Sequence, residues 1–179
     1  FLSPHLDDAV FSCGGLVARL AGAGWRVEIV TAFTASRLNP TGFALECQTD
    51  KGLAPDIDYM ALRRTEDARA CETLGATARW LDLPEAPHRG YASAGELFAG
   101  VRADDNAAAA LAPLLADLAT MAPDLVLTAE GIGGHVDHTV LRRAVEAKPG
   151  LATRLAYWRD EPYATRRDAP HARVAAAVD

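Results

Sequence analysis

A chain of 179 residues is long enough to bury the core of one α/β domain and too short for two comfortable ones. With 24 acidic against 18 basic residues and a formal net charge of −6, it offers no broad basic field to a phosphate backbone, which argues against nucleic acid and for a small-molecule partner. No apolar run approaches the ~20 residues that span a bilayer, and the three cysteines lack C-x-x-C spacing, so neither a disulfide framework nor a cysteine zinc site is supported. A cytoplasmic protein with reduced thiols is expected, its natural start lying upstream of Phe1; nothing in the composition sets the oligomeric state.

In chain order, a short apolar strand runs into Ser3-Pro4-His5-Leu6-Asp7-Asp8, and a helix follows over 15–20. Residues 27–33, rich in branched side chains after a glycine-containing turn, read as a buried strand, as do 78–83, 125–128 and 154–158. Residues 59–74, 107–122 and 138–147 carry apolar side chains at three-and-four spacing, as with Leu62, Ala70 and Leu74, and read as helices. The stretches 35–58 and 84–105 are too long for ordinary connectors and are expected to shape a pocket or its lid. Strand and helix alternate, which implies an α/β fold: a single Rossmann-like domain over residues 1–179, with a mostly parallel sheet flanked by helices. Ligands of such a sheet gather beyond the carboxyl ends of its strands.

Two polar segments fall at that edge. In the first, His5 and Asp8 stand three residues apart on a turn, and neutral imidazole with carboxylate is ligand chemistry for Zn²⁺. The second, Glu130-Gly131-Ile132-Gly133-Gly134-His135-Val136-Asp137-His138, follows a strand and precedes a helix, so His138 can supply a third ligand. Three protein ligands with one open position describe a catalytic zinc site, which polarises a carbonyl and lowers the pKa of water, as amide hydrolysis requires. Asp7, beside Asp8, is then available as general base. His135 could donate to a tetrahedral oxyanion, with Asp137 orienting its ring.

These segments resemble the signatures of the LmbE-like or PIG-L-like N-acetylglucosaminyl deacetylases, a His-Pro-Asp-Asp turn and a His-x-Asp-His segment. The similarity extends through Gly14-Gly15, Arg63-Arg64-Thr65-Glu66, Leu74-Gly75-Ala76, Leu83-Pro84-Glu85 and Glu161-Pro162-Tyr163. The resemblance implies a zinc-dependent hydrolase, with another divalent metal as the alternative ion, that removes an N-acetyl or other N-acyl group from a small-molecule glycoside or glycoconjugate. It implies His5, Asp8 and His138 as metal ligands, Asp7 as base, and His135 with Asp137 at the oxyanion. Leu6 stands where the family usually has Pro, which would loosen the turn, and Glu85 where it often has Asp. Ser-Pro-His-Leu-Asp-Asp with Leu-Asp-Leu-Pro resembles a subgroup that includes deacetylases of glycopeptide-antibiotic sugars.

Plainer readings stand beside these. Arg63 is either a substrate-binding clamp or the partner of Glu66 in a surface ion pair. Gly14-Gly15 is either a phosphate cradle or a site of close helix-to-strand packing, and Cys13 is either a fourth ligand or nucleophile or a buried packing residue. His88 and His171 are expected at the surface, and Trp80 and Trp158 against the sheet. A nucleotide-binding module is disfavoured, because no G-x-G-x-x-G follows the first strand and two aspartates would repel phosphate. A catalytically silent metal-binding or interaction protein of the same fold is the alternative, and two His with one carboxylate also describe a non-haem Fe(II) triad.

Overall fold

The computed structural model describes residues 1–165. The elements run β1 (Leu2–Ser3), α1 (Asp8–Gly22), β2 (Glu28–Phe33), α2 (Gly42–Thr49), α3 (Tyr59–Thr73), β3 (Thr77–Leu83), α4 (Ala107–Thr120), β4 (Val126–Ala129), α5 (Val136–Glu146), α6 (Pro149–Ala152) and β5 (Leu155–Trp158). Single 3₁₀ turns occur at Ala86–Arg89, Glu96–Phe98 and Tyr163–Thr165.

All five strands are parallel, in the order β3-β2-β1-β4-β5. The chain builds outward from β1 through β2 to β3, then returns to the other flank of β1 for β4 and β5. The carboxyl end of β1 is therefore a topological switch point, where the two directions of winding leave a crevice. Both faces of the sheet are covered. On one face Leu2, Val30 and Phe33 pack against Leu111, Leu115 and Leu118 of α4 and Val140, Leu141 and Val145 of α5. On the other, Ile29, Leu127 and Trp158 pack against Ala9 and Val17 of α1 and Cys71 of α3. Burial on both faces explains why β2 and β4 read as continuous apolar runs.

Several local expectations change. Helix α1 begins at Asp8, seven residues before the start expected from its apolar pattern, and runs through Gly14 and Gly15 with a break at Cys13 (φ −146°, ψ 21°). A Cβ on Gly14 would meet a Leu74 methyl at 3.5 Å, an ordinary van der Waals contact, so packing against the end of α3 does not by itself require a glycine here. The stretch 35–58 contains α2, which has no buried residue but Gln48. Leu6 does not loosen its turn: it is buried, and its carbonyl accepts from Arg63 Nη2 at 3.0 Å. Trp158 is buried, whereas Trp80 remains 37% exposed with its indole N–H donated to Asp67 at 2.9 Å. Among the described residues no helix is long and apolar enough to cross a membrane. His171 lies outside the described residues.

Candidate metal centre and active site

Strand β1 ends at Ser3, whose hydroxyl donates to the His5 carbonyl (2.8 Å) and accepts from Ala9 N–H (3.2 Å), folding the turn back on itself. Asp7 occupies the N-cap position of α1 in a left-handed conformation (φ 77°). An N-cap aspartate ordinarily accepts from a first-turn amide, but this carboxylate makes no capping bond. Instead it stands 47% exposed with one oxygen 3.1 Å from Arg63 Nη2.

Asp8 Oδ2 accepts from the His5 backbone N–H (3.0 Å) and lies 3.3 Å from His5 Nδ1 and 3.2 Å from His138 Nε2. The three candidate ligand atoms lie within 4.8 Å of one another, although His5 and His138 are separated by most of the chain. The switch point brings them together, since β1 and β4 are neighbours and His138 sits in the first turn of α5, just beyond β4.

The outer nitrogen of each ring is committed. His5 Nε2 is 2.8 Å from Asp137 Oδ2, and His138 Nδ1 is 2.5 Å from Asp160 Oδ1. His138 Nε2 is buried and makes no hydrogen bond. Two imidazole nitrogens and a carboxylate oxygen, each imidazole backed by a second carboxylate, form a donor set that fits a divalent ion. The orphaned Nε2 is the observation that favours this reading over a plain polar cluster.

Burial opposes the charge on Asp8, but His138 and His5 more than offset it and hold the carboxyl well below its usual range. Burial likewise opposes Asp137, and His5 and Arg89 hold it low. His135 goes the other way: burial, reinforced by His5, depresses it to about 3, so its ring is neutral at pH 7. Its Nδ1 accepts from the Asp137 backbone N–H at 3.2 Å, which leaves the proton on Nε2 as a free donor. Asp7 is raised, chiefly by burial, with Arg63 opposing.

All seven residues singled out from the sequence meet at this edge, with Asp137 and Arg63 in relations that differ from those expected. The Asp137 carboxylate serves His5 rather than His135; only its backbone N–H reaches the His135 ring. Arg63 does not pair with Glu66. It bonds Glu85 (2.6 Å), Asp7 and the Leu6 carbonyl, so much of its guanidinium is used inside the protein. Cys13 donates to the Ala9 carbonyl, burial pushes its thiol up to about 12, and the two groups among the described residues that could hold a metal ion, His5–Asp8–His138 and His5–His135–Asp137, include no cysteine. His88 is half-buried and belongs to neither group.

Sequence reasoning missed Asp160, Arg89 and Asp105. Arg89 holds Asp137 Oδ1 at 2.7 Å and grips Asp105 through Nε and Nη2 at 3.0 and 2.9 Å, with Tyr91 O–H also on Asp105 (2.9 Å). Asp160 could have been suspected as a carboxylate just past a parallel strand and next to Glu161-Pro162-Tyr163; Arg89 and Asp105 carry no sequence signal. Phe98, from the 84–105 stretch, sets its ring edge-on to His135 at 5.3 Å between centroids, so this stretch does reach the site. A groove at the opposite edge of the sheet, lined by Phe1, Trp25, Val27, Leu118 and Leu125 among others, contains none of these residues.

A family model described as GlcNAc-PI de-N-acetylase, PIG-L, matches residues 1–148. The chain belongs to the PIG-L family. It is 34% identical over 170 residues to 2'-N-acetylparomamine deacetylase of Streptomyces fradiae, a match covering 94% of this chain but 58% of that relative. The chain thus spans little more than half the length of its curated relative. Among solved structures, the A40926 pseudoaglycone deacetylase Dbv21 superposes with a TM-score of 0.76 at 32% identity, covering 96% of this chain and 68% of the other. The zinc-inhibited form of teicoplanin deacetylase Orf2 gives 0.76 at 29% identity, covering 96% and 70%. The family resemblance drawn from the two polar segments therefore holds, and so does the parallel α/β architecture.

Proposed function

We propose that this protein is a metal-dependent N-deacetylase acting on an acetylated amino sugar within a small-molecule glycoside. The observation that carries the reading is the convergence of His5 Nδ1, Asp8 Oδ2 and the unpartnered His138 Nε2 beside a half-exposed Asp7 and a neutral His135. His5, Asp8 and His138 would hold the ion. A divalent ion at such a site supplies Lewis-acid polarisation of the amide carbonyl and acidifies water.

The protein's own groups divide the remaining work. Asp7 takes up the proton of the attacking water and delivers it to the departing amine nitrogen. Burial raises its proton affinity toward that task, while Arg63 keeps the carboxylate in place. His135 offers its Nε2 proton to the oxygen that gains negative charge as the carbonyl becomes tetrahedral, a bond that strengthens in the transition state. Because His135 is held neutral, it acts as a hydrogen-bond donor and not as a cation.

The relatives support the substrate class, since one is named for an acetylated aminoglycoside and another for a glycopeptide pseudoaglycone. The test is a panel of N-acetylated aminoglycosides, glycopeptides and simple N-acetylglucosaminides, read by primary-amine release. One equivalent of Zn²⁺, Co²⁺ or Mn²⁺ is added, because a relative is known in a zinc-inhibited form. Amine release that disappears with chelator and with His138→Ala is expected. Stoichiometric metal binding without amine release from any substrate would instead favour a silent metal-binding protein, and oxygen-dependent turnover an Fe(II) site.

A further inference from the structure

We propose that Asp160 is a positioning residue for the metal site: its carboxylate fixes the His138 proton on Nδ1 and so turns the Nε2 lone pair toward His5 and Asp8. The inference rests on the reading of His138 as a metal ligand.

Asp160 stands two residues beyond β5 and is 1% exposed. Burial at that depth is costly for a carboxylate unless its oxygens are satisfied. Here both are: Oδ1 lies 2.5 Å from His138 Nδ1, while Oδ2 accepts from Gly131 N–H at 2.8 Å and Ile132 N–H at 3.1 Å. An ionised carboxylate only accepts hydrogen bonds, so the facing ring nitrogen must carry the proton. A neutral imidazole with its proton on Nδ1 has its lone pair on Nε2. That atom points at the Asp8 carboxylate across 3.2 Å with no hydrogen bond of its own. In the neutral ring that lone pair and the Asp8 oxygen face one another, and a divalent ion set between them would be held by both.

The division of labour between the two oxygens makes the idea testable with an isosteric change. In Asp160→Asn one oxygen becomes an NH₂ group, and the side chain has two ways to sit. Turning the amide oxygen toward Nδ1 would set the NH₂ against two backbone N–H donors. The favoured orientation keeps the oxygen on Gly131 and Ile132 and presents the NH₂ to His138. Nδ1 must then accept, and the ring proton moves to Nε2, where it blocks the lone pair. The turn is preserved while the ligand is disabled, which separates the positioning role from a merely structural one.

The experiment uses the intact protein. Histidine labelled with ¹⁵N is observed by NMR in the metal-free state at a pH where the rings are neutral, and Zn²⁺ affinity is measured by competition with a chromogenic chelator. The wild type should show His138 with its proton on Nδ1, and Asp160→Asn should show it on Nε2. Zn²⁺ affinity in Asp160→Asn should fall by about 10–100-fold, with the melting temperature of the metal-free protein largely kept. Adding Asp160→Asn to His138→Ala should cause no further loss, since the effect passes through that ring. Asp160→Ala should weaken Zn²⁺ as well, while also lowering the melting temperature through the two freed amides. Wild-type tautomer and affinity in Asp160→Asn, alongside weakened binding in His138→Ala, would overturn the inference alone. Full affinity in His138→Ala would overturn the metal-site reading itself and the inference with it.

Discussion

Replacing Asp137 with alanine removes one buried carboxylate and leaves three partners without it: His5 Nε2 (2.8 Å), Arg89 Nη2 (2.7 Å) and Ala86 N–H (3.1 Å). Arg89 keeps both bonds to Asp105, so its charge is not stranded and the loss falls at the low end of the ~3–5 kcal/mol for breaking a buried ion pair. The freed Ala86 amide adds about 1–3 kcal/mol, although terms that share one acceptor do not add fully. A net cost of about 4 kcal/mol should lower the melting temperature of a domain this size by roughly 8–16 °C. Scanning calorimetry with a chelator present reads that directly. Because the carboxylate orients His5, Zn²⁺ affinity should also fall about 10–100-fold. An unchanged melting temperature would refute the account of the network. Wild-type affinity with impaired turnover would return Asp137 to His135, the assignment drawn from sequence.

Asp7→Asn should keep metal stoichiometry while single-turnover amine release falls about 10²-fold or more, whereas Asp8→Asn should weaken the metal itself; near-normal release from metal-loaded Asp7→Asn would eliminate Asp7 as base. In the chelated protein His135 is held at about 3 against an ordinary 6.5. The unfolded chain therefore takes up a proton that the folded chain refuses, and stability rises with pH between those values. His135→Gln should flatten the slope in denaturant titrations across that window, and an unaltered slope would show that His135 is not held neutral. Gly133→Ala forces a side chain into φ +85° and within 3.2 Å of the Tyr163 ring; a loss of at least about 1–2 kcal/mol from the left-handed backbone alone is expected, and a variant as stable as the wild type would contradict it.

The parts of this fold that were legible in the sequence are those governed by local periodicity. The 27–33 run announces β2 because a strand covered on both faces must be apolar throughout, and α3 follows from its three-and-four spacing. Helix α1 was misjudged because Gly14 and Gly15 suggest a helix start when read alone. Helix α2 carries almost no buried face, so no periodic signal marks it. The site divides in the same way. Its candidate ligands and candidate base lie in two short segments dense in His and Asp, but the partners of those residues are set by strand order. Asp137 is two residues from His135 and far from His5 in sequence, yet the adjacency of β1 and β4 gives its carboxylate to His5. Asp160 reaches His138 for the same reason, through the pairing of β4 with β5.

The Arg89 and Asp105 clasp has a consequence for the stretch that it closes. It pins both ends of the stretch between β3 and α4, and Tyr91 O–H bonds Asp105 and the Arg102 backbone N–H to tighten the closure. Residues 92–100 lie between these anchor points, and the clasp itself holds Asp137 through Arg89. The stretch also reaches the candidate site: Phe98 sets its ring against His135, and Leu97 packs on the cluster of Ala86, Tyr91 and Val136. A change within residues 92–100 is therefore felt at His135, through Phe98, and at the start of α5, through Leu97, while the Arg89–Asp105 pair still holds Asp137.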